Sequence, residues 1–246
     1  MPKLLCITAH PDDEAGAFGG TLALYAERGV EISVMCLIGG TAARNRGSAG
    51  SEDELAQMRT RELADSCRLL GVKHCEVLGY RDAHLAEADL VKVVGELVRR
   101  MREFRPHVIL TFGPDGGMTG HLDHAMAGVF ATIAYEWAMR TDRYTEQNLL
   151  PHGAQKLYYH TTDFRLADRQ ATAPPVVTCS IEIGSNGFEK KIAAFMQHKT
   201  QEPLFDRLRN NLEHPPFHEH YHLACSRELR TISGVETDLF ANVAGA

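Results

Sequence analysis

Two kinds of apolar pattern alternate along the first 140 residues. Nearly unbroken apolar runs occupy 3–9, 30–38, 75–78 and 107–112. Runs of that length and density read as strands buried on both faces of a parallel sheet. Between them, apolar residues recur at spacings of three and four. Phe18, Leu22, Tyr25 and Ala26 do so within 16–28, and Leu90, Val93, Val94, Leu97, Val98 and Met101 within 90–104, which predicts helices lying on the sheet. Gly29 and Pro106 stand where these helices must stop. Ser51, with Glu54 three residues later, resembles a capping box opening a helix that runs to Leu70, with Gly71 beyond it. A further helix begins near His121 and runs through Trp137.

Four alternations of strand and helix predict an α/β fold. It is a Rossmann-like, doubly wound, mostly parallel sheet with right-handed crossovers and helices on both faces. After Arg140 the pattern loosens into strands over 156–160 and 176–183, a helix over 188–197 and irregular chain over 205–216. No linker or repeat interrupts it, so 1–246 reads as one domain in which about 141–246 shapes the edge of the site.

Composition narrows the partners. The net charge is -6 and no basic run is present, which argues against nucleic acid. No apolar run approaches the ~18 residues of a membrane span. The N-terminus enters a strand with no signal-peptide pattern, so a cytoplasmic location is expected. The six cysteines are scattered without a C-x-x-C pair, as reduced thiols are rather than zinc ligands. Glycines at 16, 19 and 20 lack the G-x-G-x-x-G spacing, and acids crowd the turn where phosphates would sit, so no dinucleotide site is expected.

The chemistry concentrates in two clusters, each placed directly after a strand. Ala9-His10-Pro11-Asp12-Asp13-Glu14 follows the first strand and Gly120-His121-Leu122-Asp123-His124 follows the fourth. Loops leaving the carboxyl ends of parallel strands share one edge, so the clusters can meet there. A catalytic zinc commonly takes three N or O ligands and leaves one position to water, and His10, Asp13 and His124 supply such a set. Asp12 is then free to act as general base on a water that the metal has acidified. His121, protonated, can stabilise an oxyanion and protonate a leaving group, and Asp123 can orient either imidazole. The fifteen-residue loop over 39–53 is long enough to be a lid or substrate loop. Within the helix after it, Arg59 and Glu62 lie three apart, as a solvated ion pair or as a pair with a role at the site.

At these residues the chain resembles the LmbE-like or PIG-L zinc deacetylases, which remove N-acetyl groups from N-acetylglucosamine-containing molecules. The resemblance covers most of the chain, and its two signatures are 9–14 and 120–124. It implies one zinc on His10, Asp13 and His124, other divalent metals substituting, with Asp12 as base and His121 as oxyanion partner. It also implies sugar contacts from Arg59 and Asp82, and weaker agreement covers 191–201 with His198, counted with Arg44 among the substrate-facing candidates. The chain departs from the pattern at Leu122, where proline is usual, and at Thr119, near which some members carry a tyrosine.

The activity expected first is zinc-dependent removal of acetyl from a small N-acetylated amino-sugar conjugate. A second reading is a zinc hydratase or hydrolase of a small carboxylated metabolite, with Arg44, Arg46 and Arg59 binding the carboxylate. A third, a non-catalytic metal- or sugar-binding protein, has no use for both Asp12 and His121. The sequence is compatible with a homo-oligomer and fixes no assembly.

Overall fold

Side chains along β1 (Lys3–Thr8) point alternately into two cores, which is what period-two geometry demands of a strand covered on both faces. Leu4 and Cys6 join one core with residues of α2 (Gly19–Glu27) and α3 (Glu52–Leu69). Leu5 and Ile7 join the other with α4 (Leu90–Phe104) and α5 (Leu122–Ala138). This is a computed structural model, and it describes residues 1–163, 173–209, 217–229 and 233–245.

The remaining strands are β2 (Glu31–Ile38), β3 (His74–Tyr80), β4 (Val108–Phe112), β5 (Lys156–Thr161), β6 (Cys179–Glu182) and β7 (His218–Ser226). They form one seven-stranded sheet in the order β3-β2-β1-β4-β5-β7-β6. The first five strands are parallel, and β7 runs antiparallel to both β5 and β6. Chain order proceeds outward from β1 to β3 and then resumes on its other side at β4. That reversal opens a crevice between the carboxyl ends of β1 and β4. Among the described residues no helix is long and apolar enough to cross a membrane.

The expected mixed, mostly parallel α/β sheet is what forms. α4 spans its expected residues, and Ser51 caps α3 by accepting from the Glu54 amide at 3.2 Å. The helix expected over 16–28 forms as α2, and a separate single turn, α1 (Asp13–Gly16), precedes it. The helix expected over 188–197 starts earlier, as α6 (Gly184–Phe195). The stretch expected to be irregular over 205–216 begins inside α7 (Glu202–Arg209), and 210–216 lie outside the described residues.

Strand β7 has no counterpart in the sequence reading. Its residues, His218-Glu219-His220-Tyr221-His222, carry polar groups on both faces, so the apolar alternation that announces a strand is missing. The buried Glu219 explains how such a strand pays its way. Its carboxylate accepts from the Gly20 and Thr21 amides at 3.0 and 2.8 Å and from Lys191 Nζ at 2.6 Å, tying β7 to α2 and α6. Burial alone would raise its pKa, but the Lys191 ammonium and the hydrogen bonds hold it below the usual carboxylate value.

A depressed folded-state pKa stabilises the fold above the unfolded value, and that stability is lost as pH falls through the folded one. Glu219→Gln should therefore destabilise the chain at pH 7 by about 1.5–3 kcal/mol, the range for hydrogen bonds to charged groups. The gap to wild type should close as pH falls below the ordinary Glu value of about 4.3. Denaturant titrations at several pH values would show it, and a gap independent of pH would contradict it.

Candidate metal centre

The first cluster is shaped by its own carboxylate. Asp13 Oδ2 accepts from the Ala9 and His10 amides at 3.1 and 2.8 Å, folding the chain back as it leaves β1. The turn forces Asp12 to φ +115°, a conformation that costs a non-glycine residue on the order of 1–3 kcal/mol. The second cluster is delivered by a glycine-rich turn and by α5 lying close on the end of β4. A Cβ at Gly116 would fall 2.6 Å from the His121 carbonyl oxygen, and one at Gly128 only 2.2 Å from that of Phe112. With glycine at both places, His124 stacks on the Phe112 ring at 4.2 Å, nearly parallel.

The two clusters meet. His10 Nδ1 and His124 Nε2 lie 3.3 Å apart, Asp13 Oδ1 is 3.1 Å from His124 Nε2, and Asp13 Oδ2 is 3.7 Å from His10 Nδ1. Ligands bound at 2.0–2.2 Å on a tetrahedron stand roughly 3.3–3.6 Å from one another, which is the spacing of the two imidazole nitrogens, while Asp13 meets each imidazole with a different oxygen. Their far sides are supported as metal-binding imidazoles usually are. His10 Nε2 faces Asp123 Oδ2 at 3.4 Å and Asp82 Oδ1 at 3.5 Å, and His124 Nδ1 faces Thr119 Oγ1 at 3.4 Å. Two overlapping groups could also hold a metal, His10 with His121 and His124, and His10 with Asp82 and Asp123, each with its donor atoms within 4.8 Å of one another. The carboxylates of the latter are already engaged by backbone, Asp123 by the Ala83 and Leu85 amides and Asp82 by that of Ala42.

The charges follow from this crowding. Burial would lower the His10 pKa, but hydrogen bonds to Asp123, Asp13 and Asp82 raise it well above the ordinary value. Burial would raise that of Asp13, yet His124 and His10 hold it well below the carboxylate range. At Asp12 burial prevails and lifts the carboxyl to about 6, against the Arg59 guanidinium beside it.

His121 is the N-cap of α5 rather than part of its first turn, and its Nδ1 accepts from the Asp123 amide at 3.2 Å. That bond uses the Nδ1 lone pair, so the neutral ring carries its proton on Nε2. Burial, then the neighbouring His10 and His124, lower its pKa further. Both effects favour the neutral ring, whose Nε2–H can serve as a hydrogen-bond donor. Leu122 occupies the first helical position, where proline fits without losing a hydrogen bond and leucine is equally at ease, 58% exposed.

The substrate-facing candidates divide. Arg44 is exposed in the loop after β2, and Asp82 lies at the site beside His10. Arg59 is buried and already committed: it donates to Asp12 Oδ2 at 2.9 Å, to the Gly40 carbonyl at 2.9 Å and to the Pro11 carbonyl. It makes no pair with Glu62, whose carboxylate instead takes the Thr200 amide at 2.8 Å and hydroxyl at 2.6 Å. His198 has no exposed surface, and its Nε2 meets Glu14 Oε1 at 2.7 Å, so it supports the site from behind instead of facing a substrate. Burial would lower its pKa, and the Glu14 carboxylate raises it. Thr119, noted in the sequence only as a departure from the family pattern, stands behind His124, and Ser66 beside Glu14 went unremarked there. Ser66 was legible in principle, since Arg59, Glu62 and Ser66 form a polar stripe at helical spacing on the buried side of α3.

A family model described as GlcNAc-PI de-N-acetylase, PIG-L, matches residues 5–135. A mycothiol S-conjugate amidase of Streptomyces coelicolor is 33% identical over 64% of this chain and 60% of its own length. A 1D-myo-inositol 2-acetamido-2-deoxy-α-D-glucopyranoside deacetylase of a Mycobacterium species (strain JLS) is 30% identical over 99% of this chain and 90% of the relative. Among solved structures, the N,N'-diacetylchitobiose deacetylase of Pyrococcus horikoshii superposes with a TM-score of 0.74 at 23% identity, over 90% of this chain and 83% of that one. The 4-carboxy-2-hydroxymuconate hydratase of Pseudomonas putida superposes with a TM-score of 0.72 at 20% identity, over 95% of this chain and 100% of that one. The fold is therefore common to an amide hydrolase and a hydratase, and fold alone does not choose between them.

Proposed function

The chain belongs to the PIG-L family, and from that membership and the geometry of its two clusters we propose that it is a zinc-dependent deacetylase of a small N-acetylglucosamine conjugate. The single observation carrying this is the meeting of His10 Nδ1 and His124 Nε2 at 3.3 Å with the Asp13 carboxylate, 3.1 Å from His124 through Oδ1 and 3.7 Å from His10 through Oδ2, beside a separate carboxylate, Asp12. Convergent N and O donors of this kind suit zinc, and other divalent ions can replace it. One zinc per chain, held by His10, Asp13 and His124, would supply Lewis acidity to the attacking water and the carbonyl.

The protein's own groups do the rest. Asp12, anchored by Arg59, accepts a proton from the attacking water as its oxygen adds to the acetyl carbon. His121 donates its Nε2 proton in a hydrogen bond to the carbonyl oxygen as negative charge develops there. Asp12 then gives its proton to the departing nitrogen, so the C–N bond breaks to acetate and a free amine. Asp123 and Asp82 keep the His10 ring oriented throughout.

The relatives' substrates supply the probe. Proton NMR of the metal-loaded chain with 1D-myo-inositol 2-acetamido-2-deoxy-α-D-glucopyranoside should show equal amounts of acetate and amine. An unsaturated dicarboxylate should remain unhydrated, since Arg59, one of the three arginines available to a carboxylate, is spent on Asp12. Hydration of the dicarboxylate without acetate release would reverse the assignment.

A further inference from the structure

Among the described non-glycine residues with positive φ, five lie between +52° and +62°, while Asp12 lies at +115°. So displaced a backbone persists only where its surroundings hold it. The hold comes from Glu14, whose Oε2 accepts from the Asp12 amide at 2.9 Å. Glu14 is fully buried, and its other oxygen accepts from the Ser66 hydroxyl and from His198 Nε2, groups 52 and 184 residues away in sequence. A capping box would place the reaching carboxylate three residues after the cap and leave it in solvent. Glu14 is two residues after Asp12, and its outer oxygen is locked from α3 and from the turn after α6.

We propose that Glu14 is a positioning residue for the reaction: by fixing the peptide N–H of Asp12 it aims the Asp12 carboxylate, and Ser66 and His198 hold Glu14 in that pose. The proposal rests on Asp12 being the general base. Arg59 grips the Asp12 side chain from one side while Glu14 grips its backbone from the other, so the base is held at both ends. His198 thereby links a segment remote in sequence to the reacting group without touching substrate.

The test is a double-mutant cycle on acetate release from the N-acetylglucosaminyl-inositol probe, with metal content and Asp12 amide exchange measured alongside. Glu14→Ala should lower kcat by about tenfold or more through misaligned geometry, leave KM within about twofold and retain the metal. The Asp12 amide, freed from a charged acceptor, should exchange at least about tenfold faster. In the Asp12→Asn background the same replacement should cost less than about twofold, since Glu14 acts only through that side chain. Equal losses in both backgrounds, or unchanged Asp12 exchange, would overturn the proposal and leave Asp12 as the base. Should Glu14→Ala fail to fold, His198 carries the test. His198→Ala should lose kcat in the same way, and His198→Gln, whose amide N–H can reach Glu14, should recover most of it; equal kcat in the two variants overturns the proposal. Full turnover in Asp12→Asn alone would remove the base assignment and the proposal with it, a result that no Glu14 or His198 variant is needed to read.

Discussion

Replacing His124 by alanine should leave the chain without bound metal and reduce acetate release to background, and His10→Ala and Asp13→Ala should do the same. Each removes one of three donors that stand 3.1–3.7 Å apart, and two donors do not enclose a cation. Loss of an outer partner of a ligand typically costs 10- to 100-fold in metal affinity, so loss of a ligand should exceed about 100-fold. Asp13 has a second burden, since its other oxygen folds the turn through the Ala9 and His10 amides. Asp13→Asn, which can still accept those bonds, separates the two roles: it should fold normally and bind metal weakly. Elemental analysis after dialysis is the check. Full metal content in His124→Ala together with its loss in His121→Ala would mean that the alternative group of His10, His121 and His124 is the real one.

Asp12→Asn should fold, keep its metal and lose turnover by roughly 10² to 10⁴, the usual contribution of a general base. The amide oxygen can still accept from Arg59, so the local geometry survives while proton acceptance does not. The result to look for is a fall in kcat with little change in KM, because the lost interaction belongs to the transition state. Wild-type turnover in this variant would exclude Asp12 as the base. Arg59→Ala should act in the same direction through Asp12, which it contacts at 2.9 Å.

The strands β1, β2 and β4 were legible because they are buried on both faces and therefore nearly continuous in apolar residues. The place of the site followed from the same fact, since two charged clusters each stood at the end of such a strand. β7 was illegible for the opposite reason: its buried Glu219 is partnered by groups from α2 and α6, and by the Tyr221 hydroxyl two residues on, and no local pattern announces these bonds. What Arg59 and His198 touch was hidden for a related reason. A charged or imidazole side chain near a signature looks solvent-facing in sequence, and only burial beside Asp12 and Glu14 reveals that each spends its hydrogen bonds on the protein. The tautomer of His121 was not legible in the sequence, because it depends on a cap bond from the Asp123 amide that exists only once α5 begins at Leu122.

The most direct measurement is acetate release from 1D-myo-inositol 2-acetamido-2-deoxy-α-D-glucopyranoside by the purified chain, followed through chelation and readdition of zinc. The account predicts one acetate per free amine, activity abolished by the chelator, and recovery complete at about one equivalent of zinc per chain. Acetate release that persists in the metal-stripped chain, or a zinc-loaded chain that releases none, would contradict it.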